Sequence, residues 1–156
     1  MSITIGSKAP DFTLKNSDGN EITLSTFMGK KNVLVLFFPL AFTGVCTAEL
    51  CSTRDALADY NSMNAEVLAI SVDSFFTLKQ FKEANKLNFE LLSDFNKKTA
   101  TAYGALYNDF FGMTGVAKRS AFVVDKEGIV HYAEVLEVAK DLPNFSAIQE
   151  VLKRLN

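Results

Sequence analysis

The sequence predicts an α/β fold in which a mixed central sheet is covered by helices on both faces. Two apolar runs, residues 33–38 and 66–72, have the pattern of buried parallel strands, and a helical pattern follows each of them. Near the C-terminus, a hairpin pattern at residues 120–136 is followed by a last helical segment. This order is typical of one layer of strands between two layers of helices, with right-handed crossovers between parallel strands.

Composition limits the classes of protein that this chain can be. With 156 residues and 48% hydrophobic content, we expect residues 1–156 to form a single domain. The net charge of −2 provides no basic face, so we expect neither a nucleic acid nor a membrane as partner. Two cysteines without a secretory signal indicate a reducing, cytoplasmic location. With two cysteines and one histidine, we expect no zinc site.

The N-terminal part of the chain predicts an added β-hairpin. Short β-patterned runs at residues 12–15 and 21–24 flank a turn-rich stretch at residues 16–20. Ser25 is then predicted to begin a brief helical turn that ends at Gly29.

Helices and strands are predicted to alternate through the middle of the chain. After the strand at residues 33–38, one helix is expected from about residue 44 to residue 62. Ser74 is predicted to begin the helix that follows the second buried strand. A short strand at residues 89–92 is followed by a helix that Asp94 caps and Gly104 ends.

The C-terminal part predicts a loop, a hairpin and a helix. Residues 105–118 are loop-like and aromatic. Strands at residues 120–124 and 129–136 flank a good hairpin turn, and the last helix is expected to begin near Pro143. A doubly wound nucleotide-binding fold is the competing architecture, but neither of its glycine-rich phosphate-binding motifs occurs in the chain.

The stretch that joins the first buried strand to the following helix holds a candidate nucleophile. The strand breaks at Pro39, and Cys46 stands in the first turn of the helix. If Thr43 is the N-cap, Cys46 is the third helical residue and lies among backbone N–H groups without intrahelical partners. These groups and the helix dipole favour a thiolate, which is the nucleophilic form of cysteine. The alternative is a small buried residue, but the strand–Pro–Thr–Gly–Cys context favours the nucleophile.

These residues carry a resemblance to a known family. Pro39, Thr43 and Cys46 form the pattern P-x-x-x-T-x-x-C, which resembles the active-site motif of the peroxiredoxins. The stretch FFPLAFTGVCTAEL is most similar to the one-cysteine, AhpE-type branch, and the similarity extends from residues 6–12 to residues 119–125. The resemblance implies a thioredoxin-like fold and a cysteine-based peroxidase that uses no metal, haem or flavin.

The resemblance also implies a role for each residue of the motif. Cys46 would attack hydrogen peroxide or an organic hydroperoxide and become a sulfenic acid. Thr43 would accept a hydrogen bond from the peroxide, and Pro39 would fix the loop that shields the sulfur from water. The alternatives are a plain N-cap for Thr43 and a strand stop for Pro39.

Two charged residues complete the expected site. The arginine of the family's active site stands just before a strand like 120–124, as Arg119 does. We expect this strand to run parallel to residues 33–38 and to bring Arg119 near Cys46, where its charge would stabilise the thiolate and the leaving oxygen. Glu49 matches an acidic position of the family and would orient Arg119. Each of the two could instead be a surface charge.

Regeneration of the enzyme leaves alternatives open. Cys51 resembles the resolving cysteine of the bacterioferritin-comigratory, PrxQ-like branch, or it is a small core residue. The reductant would be thioredoxin, glutaredoxin or a small thiol, acting directly on Cys46 or on a Cys46–Cys51 disulfide.

We expect a homodimer, with the aromatic loop at residues 105–113 either at its interface or in the pocket. His131 is interpreted as structural. A disulfide oxidoreductase would need the C-x-x-C pair that this chain lacks, whereas a redox-sensing role stays open.

Overall fold

A computed structural model describes residues 3–156 of the chain. The strands are β1 (Thr13–Asn16), β2 (Glu21–Thr23), β3 (Asn32–Phe37), β4 (Ala65–Ser71), β5 (Glu90–Ser93), β6 (Leu106–Tyr107), β7 (Val116–Ala117), β8 (Ser120–Val124) and β9 (Val130–Val135). The helices are α1 (Gly44–Asp55), α2 (Leu57–Ser62), α3 (Phe75–Asn85), α4 (Lys98–Ala102) and α5 (Phe145–Arg154), and a 3-10 turn spans Leu24–Phe27.

Seven strands form a mixed sheet with the order β2-β1-β5-β4-β3-β8-β9. The three central strands β5, β4 and β3 are parallel, and the outer pairs are antiparallel. All six residues of β3 are buried, and the five that follow Asn32 are apolar and meet covering elements on both faces of the sheet. The predicted mixed sheet and the N-terminal hairpin are therefore confirmed.

Each face of the sheet has its own hydrophobic cluster. Successive side chains of β3 alternate between the faces, so Leu34 and Leu36 pack with one cluster while Val35 and Phe37 pack with the other. The first cluster is covered by α1, α2, α3 and α5, and the second by α4, the 3-10 turn and the N-terminal hairpin. Helices therefore cover both faces, as predicted.

The expected direction of strand β8 is wrong. It runs antiparallel to β3, with Phe37 opposite Ser120, so the start of β8 lies beside the end of β3. The short helix α4 explains this direction. Five helical residues span only about 7.5 Å, too little to carry the chain back along the sheet after β5. The chain therefore enters β8 from the edge at which β3, β4 and β5 end.

Several predicted boundaries also differ from the structure. The helix expected at residues 44–62 is divided at Ala56 into α1 and α2. The loop expected at residues 105–118 contains the two-stranded antiparallel ribbon β6–β7. The Asp94 carboxylate accepts N–H bonds from two residues of α4, but that helix begins only at Lys98. Helix α5 begins after Asn144, whose side chain caps it, and Pro143 precedes the cap.

Candidate active site

Cys46 lies in the first turn of helix α1, which follows strand β3 after a loop at residues 38–43. Thr43 has the extended backbone of an N-cap, so Cys46 is the third residue of the helix and is buried. Thr43 Oγ1 accepts no capping hydrogen bond from the helix N–H groups, and its hydroxyl donates to the Leu40 carbonyl at 2.7 Å. The loop is also tied to the end of β4, since the Ala41 N–H donates to the Asp73 carboxylate at 2.8 Å. That contact was not predicted. The one sequence signal that could have indicated it is the position of Asp73, an acidic residue directly after a predicted buried strand.

Arg119 joins Cys46 to Glu49. Its Nη2 donates to Cys46 Sγ at 3.3 Å and its Nη1 to Glu49 Oε1 at 2.7 Å. Its Nε donates to the Ala139 carbonyl at 2.9 Å, so all three kinds of guanidinium nitrogen have an acceptor. The Arg119 side chain is only 2% exposed and that of Glu49 is fully buried. Neither charge is therefore at the surface, which was the alternative for each.

Burial shifts the ionisation of this pair. It raises the pKa of Glu49 to about 7, and the adjacent Arg119 charge and hydrogen bond oppose that shift. Burial by itself would lower the pKa of Arg119, but the charges of Glu49 and Cys46 outweigh it and hold that pKa above its ordinary value. Glu49 Oε2 has no hydrogen-bond partner among the described residues, so only one oxygen of this carboxyl group is held.

A cavity of about 510 Å³ opens onto Cys46. Its wall is mostly apolar, and its residues are Pro39, Leu40, Thr43, Gly44, Val45, Cys46, Phe110, Phe111, Met113, Arg119, Val138, Ala139 and Lys140. Pro39 is buried in this wall, whereas Thr43 is exposed at it. A larger groove of about 780 Å³ lies between the N-terminal hairpin and α3 but contains no cysteine and no arginine, so the candidate site is the smaller cavity.

A family model and several related proteins match most of the chain. The family model described as the AhpC/TSA family matches residues 5–133. The chain belongs to this family. Alkyl hydroperoxide reductase E of Mycobacterium tuberculosis is 42% identical over 135 residues, which are 85% of this chain and 86% of that protein. The chloroplastic 2-Cys peroxiredoxin BAS1 of Arabidopsis thaliana is 33% identical over 141 residues, 84% of this chain and 52% of that one.

Solved structures show the same relationship. The crystal structure of peroxidoxin BcpB from Mycobacterium tuberculosis matches with a TM-score of 0.88 at 26% identity, over 99% of both chains. The reduced 2-Cys peroxiredoxin of Plasmodium vivax matches with a TM-score of 0.86 at 30% identity, over 96% of this chain and 80% of that one. The resemblance to the peroxiredoxins and the expected thioredoxin-like fold are confirmed.

The second cysteine of this peroxiredoxin lies away from the first. Cys46 and Cys51 are both free thiols on the same intact helix, and Cys51 is partly exposed. Five helical residues correspond to a rise of about 7.5 Å and a rotation of about 140°. A disulfide needs Cα atoms within roughly 7 Å and converging Cβ atoms. The folded helix therefore holds the two sulfurs apart.

The structure also shows the contacts of His131 and of the cavity wall at residues 138–140. His131, for which the sequence offered no partner, pairs with Asp125 at 2.5 Å in the β8–β9 hairpin. The cavity wall at residues 138–140 was not predicted, because the Ala139 group that binds Arg119 is a backbone carbonyl without a sequence signature.

Within residues 3–156, no helix is long and apolar enough to span a membrane and no three potential metal ligands are grouped together.

Proposed function

We propose that this peroxiredoxin reduces hydrogen peroxide and organic hydroperoxides by attack of the Cys46 thiolate. The observation that carries the proposal is the Arg119 guanidinium, which is buried and donates to Cys46 Sγ at 3.3 Å. A fixed positive charge beside the sulfur favours the thiolate and does not have to reorganise as the reaction proceeds.

The reaction breaks the O–O bond of the peroxide. The thiolate attacks the terminal oxygen and becomes a sulfenic acid, while the other oxygen leaves with the bonding electron pair. That oxygen takes up a proton and departs as water or an alcohol. Arg119 stabilises the charge that develops on it, and Glu49 holds Arg119 in the orientation that reaches the sulfur. The sulfur supplies both electrons, so the step needs no other redox group.

The loop before helix α1 positions the peroxide. The Thr43 hydroxyl proton is engaged by the Leu40 carbonyl, which leaves the lone pairs of Oγ1 available to accept a hydrogen bond from the peroxide. Pro39 adds an apolar surface without an N–H group beside Cys46. The two residues thus orient the O–O bond and exclude competing water.

A thiol reductant completes the cycle. Thioredoxin, glutaredoxin or a small thiol would reduce the Cys46 sulfenic acid directly or reduce a Cys46–Cys51 disulfide formed from it. We favour the second route, because Cys51 stands at the position that resembles the PrxQ-like resolving cysteine and is partly exposed to an external thiol.

The proposal extends to assembly and location. We propose that residues 1–156 act as one domain, that the protein is a homodimer, and that it works in the cytoplasm. The single seven-stranded sheet supports the first statement, and two free thiols fit a reducing compartment. Exposed apolar side chains around the cavity mouth support the dimer.

The central test is the Cys46→Ser variant, followed by stopped-flow mixing with hydrogen peroxide and cumene hydroperoxide. Serine is nearly isosteric but a far weaker nucleophile at neutral pH, so we expect peroxide consumption to be lost while the circular dichroism spectrum is retained. Cys51→Ser is the matched control and should keep the first oxidation step. Peroxide consumption by Cys46→Ser within about tenfold of the parent would overturn the proposal.

A further inference from the structure

The surroundings of Cys51 form a polar junction between helices α1 and α3 that the proposed chemistry of Cys46 does not use. Cys51 and Arg54 are three residues apart on α1 and therefore share one face of that helix. Both contact Asn85, the last residue of α3. Cys51 Sγ lies 3.8 Å from Asn85 Oδ1, and Arg54 Nη1 donates to the Asn85 carbonyl at 2.6 Å.

The Asn85 side chain has a defined orientation. Its Nδ2 donates to the Phe81 carbonyl at 3.2 Å, one turn earlier in α3, and this leaves Oδ1 facing the Cys51 sulfur. A thiol is a weak donor, so an S–H bond to Oδ1 is the contact that fits these two groups. The bond directs the Cys51 thiol towards a fixed point on the neighbouring helix.

Arg54 brings a positive charge to the same place. The carbonyl that it binds is at the C-terminal end of α3, where unpaired carbonyls and the helix dipole favour a cation. A neighbouring acid, Asp55, accepts from Arg54 Nε at 3.0 Å but is 70% exposed and partly screened by water. The pKa of Arg54 is raised mainly by that hydrogen bond, against the opposing effect of desolvation, and further by the electrostatic effects of Asp55 and then Cys51.

We propose that Asn85 and Arg54 are positioning residues that prepare Cys51 to attack the Cys46 sulfenic acid. Asn85 holds the Cys51 thiol in one orientation while Cys46 is brought to it, and Arg54 stabilises the thiolate that forms when Cys51 gives its proton to water. The inference rests on the proposed function, in which Cys51 resolves the sulfenic acid.

The same contacts decide which part of helix α1 moves. Arg54 and Asn85 hold the C-terminal half of α1 against α3, so the first turn has to unwind and carry Cys46 towards Cys51. The Cys51 thiolate then attacks the Cys46 sulfur, the S–S bond forms as the S–O bond breaks, and the hydroxide leaves as water after taking a proton.

Rapid-quench mass spectrometry after one equivalent of hydrogen peroxide separates the two steps. We expect Arg54→Leu to slow formation of the Cys46–Cys51 disulfide by about fivefold or more and to move its rate–pH profile to higher pH. Arg54→Lys should recover most of the rate, since it keeps the charge. Asn85→Ala should slow the same step by about threefold, and the preceding oxidation of Cys46 should be unchanged in all three variants.

The sign of the effect distinguishes positioning from mere support of the helix. If Arg54 and Asn85 only held α1 in place, their removal would make unwinding easier and the disulfide would form at the parental rate or faster; either result overturns the inference. Arg154→Leu, which removes an exposed arginine from α5, is the control for loss of charge. A parent that oxidises at Cys46 but never forms the disulfide would overturn both this inference and the resolving role of Cys51. A parent that does not react with peroxide would overturn the proposed function itself.

A second measurement does not depend on turnover. In a Cys46→Ser background Cys51 is the one remaining cysteine, so its alkylation by iodoacetamide can be followed directly. We expect Arg54→Leu to slow this alkylation severalfold at neutral pH and Arg54→Lys to slow it less. Equal alkylation rates in the three proteins would overturn the role of Arg54 whatever the peroxide chemistry shows.

Discussion

At the scale of the residue, Arg119 makes the contacts that link the parts of the candidate site. Its guanidinium is buried and donates in three directions, to the Cys46 sulfur, to the Glu49 carboxyl group and to the Ala139 carbonyl. A planar fork with five N–H groups can do this with one fixed geometry, whereas the ammonium group of a lysine is a single point charge. The residue therefore sets the orientation as well as the charge of the site.

Replacing Arg119 tests this interpretation. We expect Arg119→Ala to slow the oxidation of Cys46 by about 10²-fold or more, the usual scale for removal of one preorganised donor, and Arg119→Lys to recover only part of the loss. Stopped-flow measurement of the second-order rate with hydrogen peroxide provides the comparison, and Arg154→Ala controls for net charge. An Arg119→Ala protein that is folded and reacts at the parental rate would show that the contact has no role in the reaction.

The raised pKa of Glu49 predicts that the stability of the folded protein depends on pH. Its pKa is about 7 in the folded protein and ordinarily 4.5, so the folded state binds the proton more tightly than the unfolded state. The stabilisation from this group is complete below about pH 4.5 and is lost as the pH rises through about 7. Urea unfolding from pH 4 to pH 8 should show the free energy of unfolding of the parent falling relative to Glu49→Gln, by roughly 1 to 3 kcal/mol. Parallel pH profiles for the two proteins would contradict the shift.

The predictability of the site from the sequence depends on how far apart its residues are. Pro39, Thr43 and Cys46 stand close together in the sequence, so their spacing can be recognised as a motif. Arg119 lies 73 positions from Cys46 and was suggested by its place before a predicted neighbouring strand together with the family resemblance. The bond from Arg119 to the Ala139 carbonyl could not be predicted, because any residue offers the same backbone group.

At the scale of the element, helix α1 is unevenly supported. Its N-cap side chain accepts no hydrogen bond from the helix N–H groups, its first residue is glycine, and its first turn contains no acidic residue. The interior side of the helix is held by the contacts of Arg119 to Cys46 and Glu49. In the proposed reaction the sulfur becomes a neutral sulfenic acid, so the attraction between Arg119 and the thiolate would be gone and the first turn would lose part of its support.

Amide hydrogen exchange can detect this loss of support. After one equivalent of peroxide, we expect the amides of residues 44–51 to exchange at least about tenfold faster than in the reduced protein, while those of α3 stay protected. Cys51→Ser, which cannot form the disulfide, should show a smaller increase. Unchanged protection of residues 44–51 in the disulfide form would exclude unwinding of α1.

Element boundaries were predictable where a local residue sets them. Ser74 accepts from the Thr77 N–H as a predicted N-cap should, and α3 begins directly after it. The division of the expected helix at Ala56 has no such marker, because neither glycine nor proline is present there. Strands β6 and β7 have two residues each, too few for a periodic pattern.

At the scale of the whole molecule, the wall of the Cys46 cavity and the chain segments next to it carry several exposed apolar side chains. Phe42 is 56% exposed and Phe111 is 89% exposed, and both have a left-handed backbone that is uncommon for aromatic residues. Met113, Val138 and Leu142 are also exposed apolar residues. A soluble monomer rarely leaves such a surface in water, which favours a second copy as its cover.

Sedimentation velocity tests the proposed dimer. We expect the parent to sediment as a dimer at micromolar concentration and Phe111→Glu to sediment as a monomer, because a charge would have to be buried at the interface. Phe95→Glu is the matched control, since Phe95 is 60% exposed beside the larger groove rather than at the cavity mouth. A parent that is monomeric under these conditions would remove the dimer from the proposal.

The general architecture followed from the pattern of apolar runs, but the direction of β8 did not. Buried strands and amphipathic helices can be recognised one by one, whereas the direction of a strand depends on the connection before it. Here the connection contains the five-residue helix α4 and the ribbon β6–β7, and neither was predicted with its true length. The expected parallel pairing was wrong for that reason.

The antiparallel pairing of β3 and β8 also has a consequence in time. Synthesis completes β3 and the Cys46 segment long before residue 119 leaves the ribosome, so a half-made chain has the cysteine without its arginine. The two meet only when Phe37 and Ser120 come into register, a contact between distant parts of the chain. Until then the Arg119 guanidinium cannot contact the Cys46 sulfur, so the site is assembled only when the second half of the chain has been made.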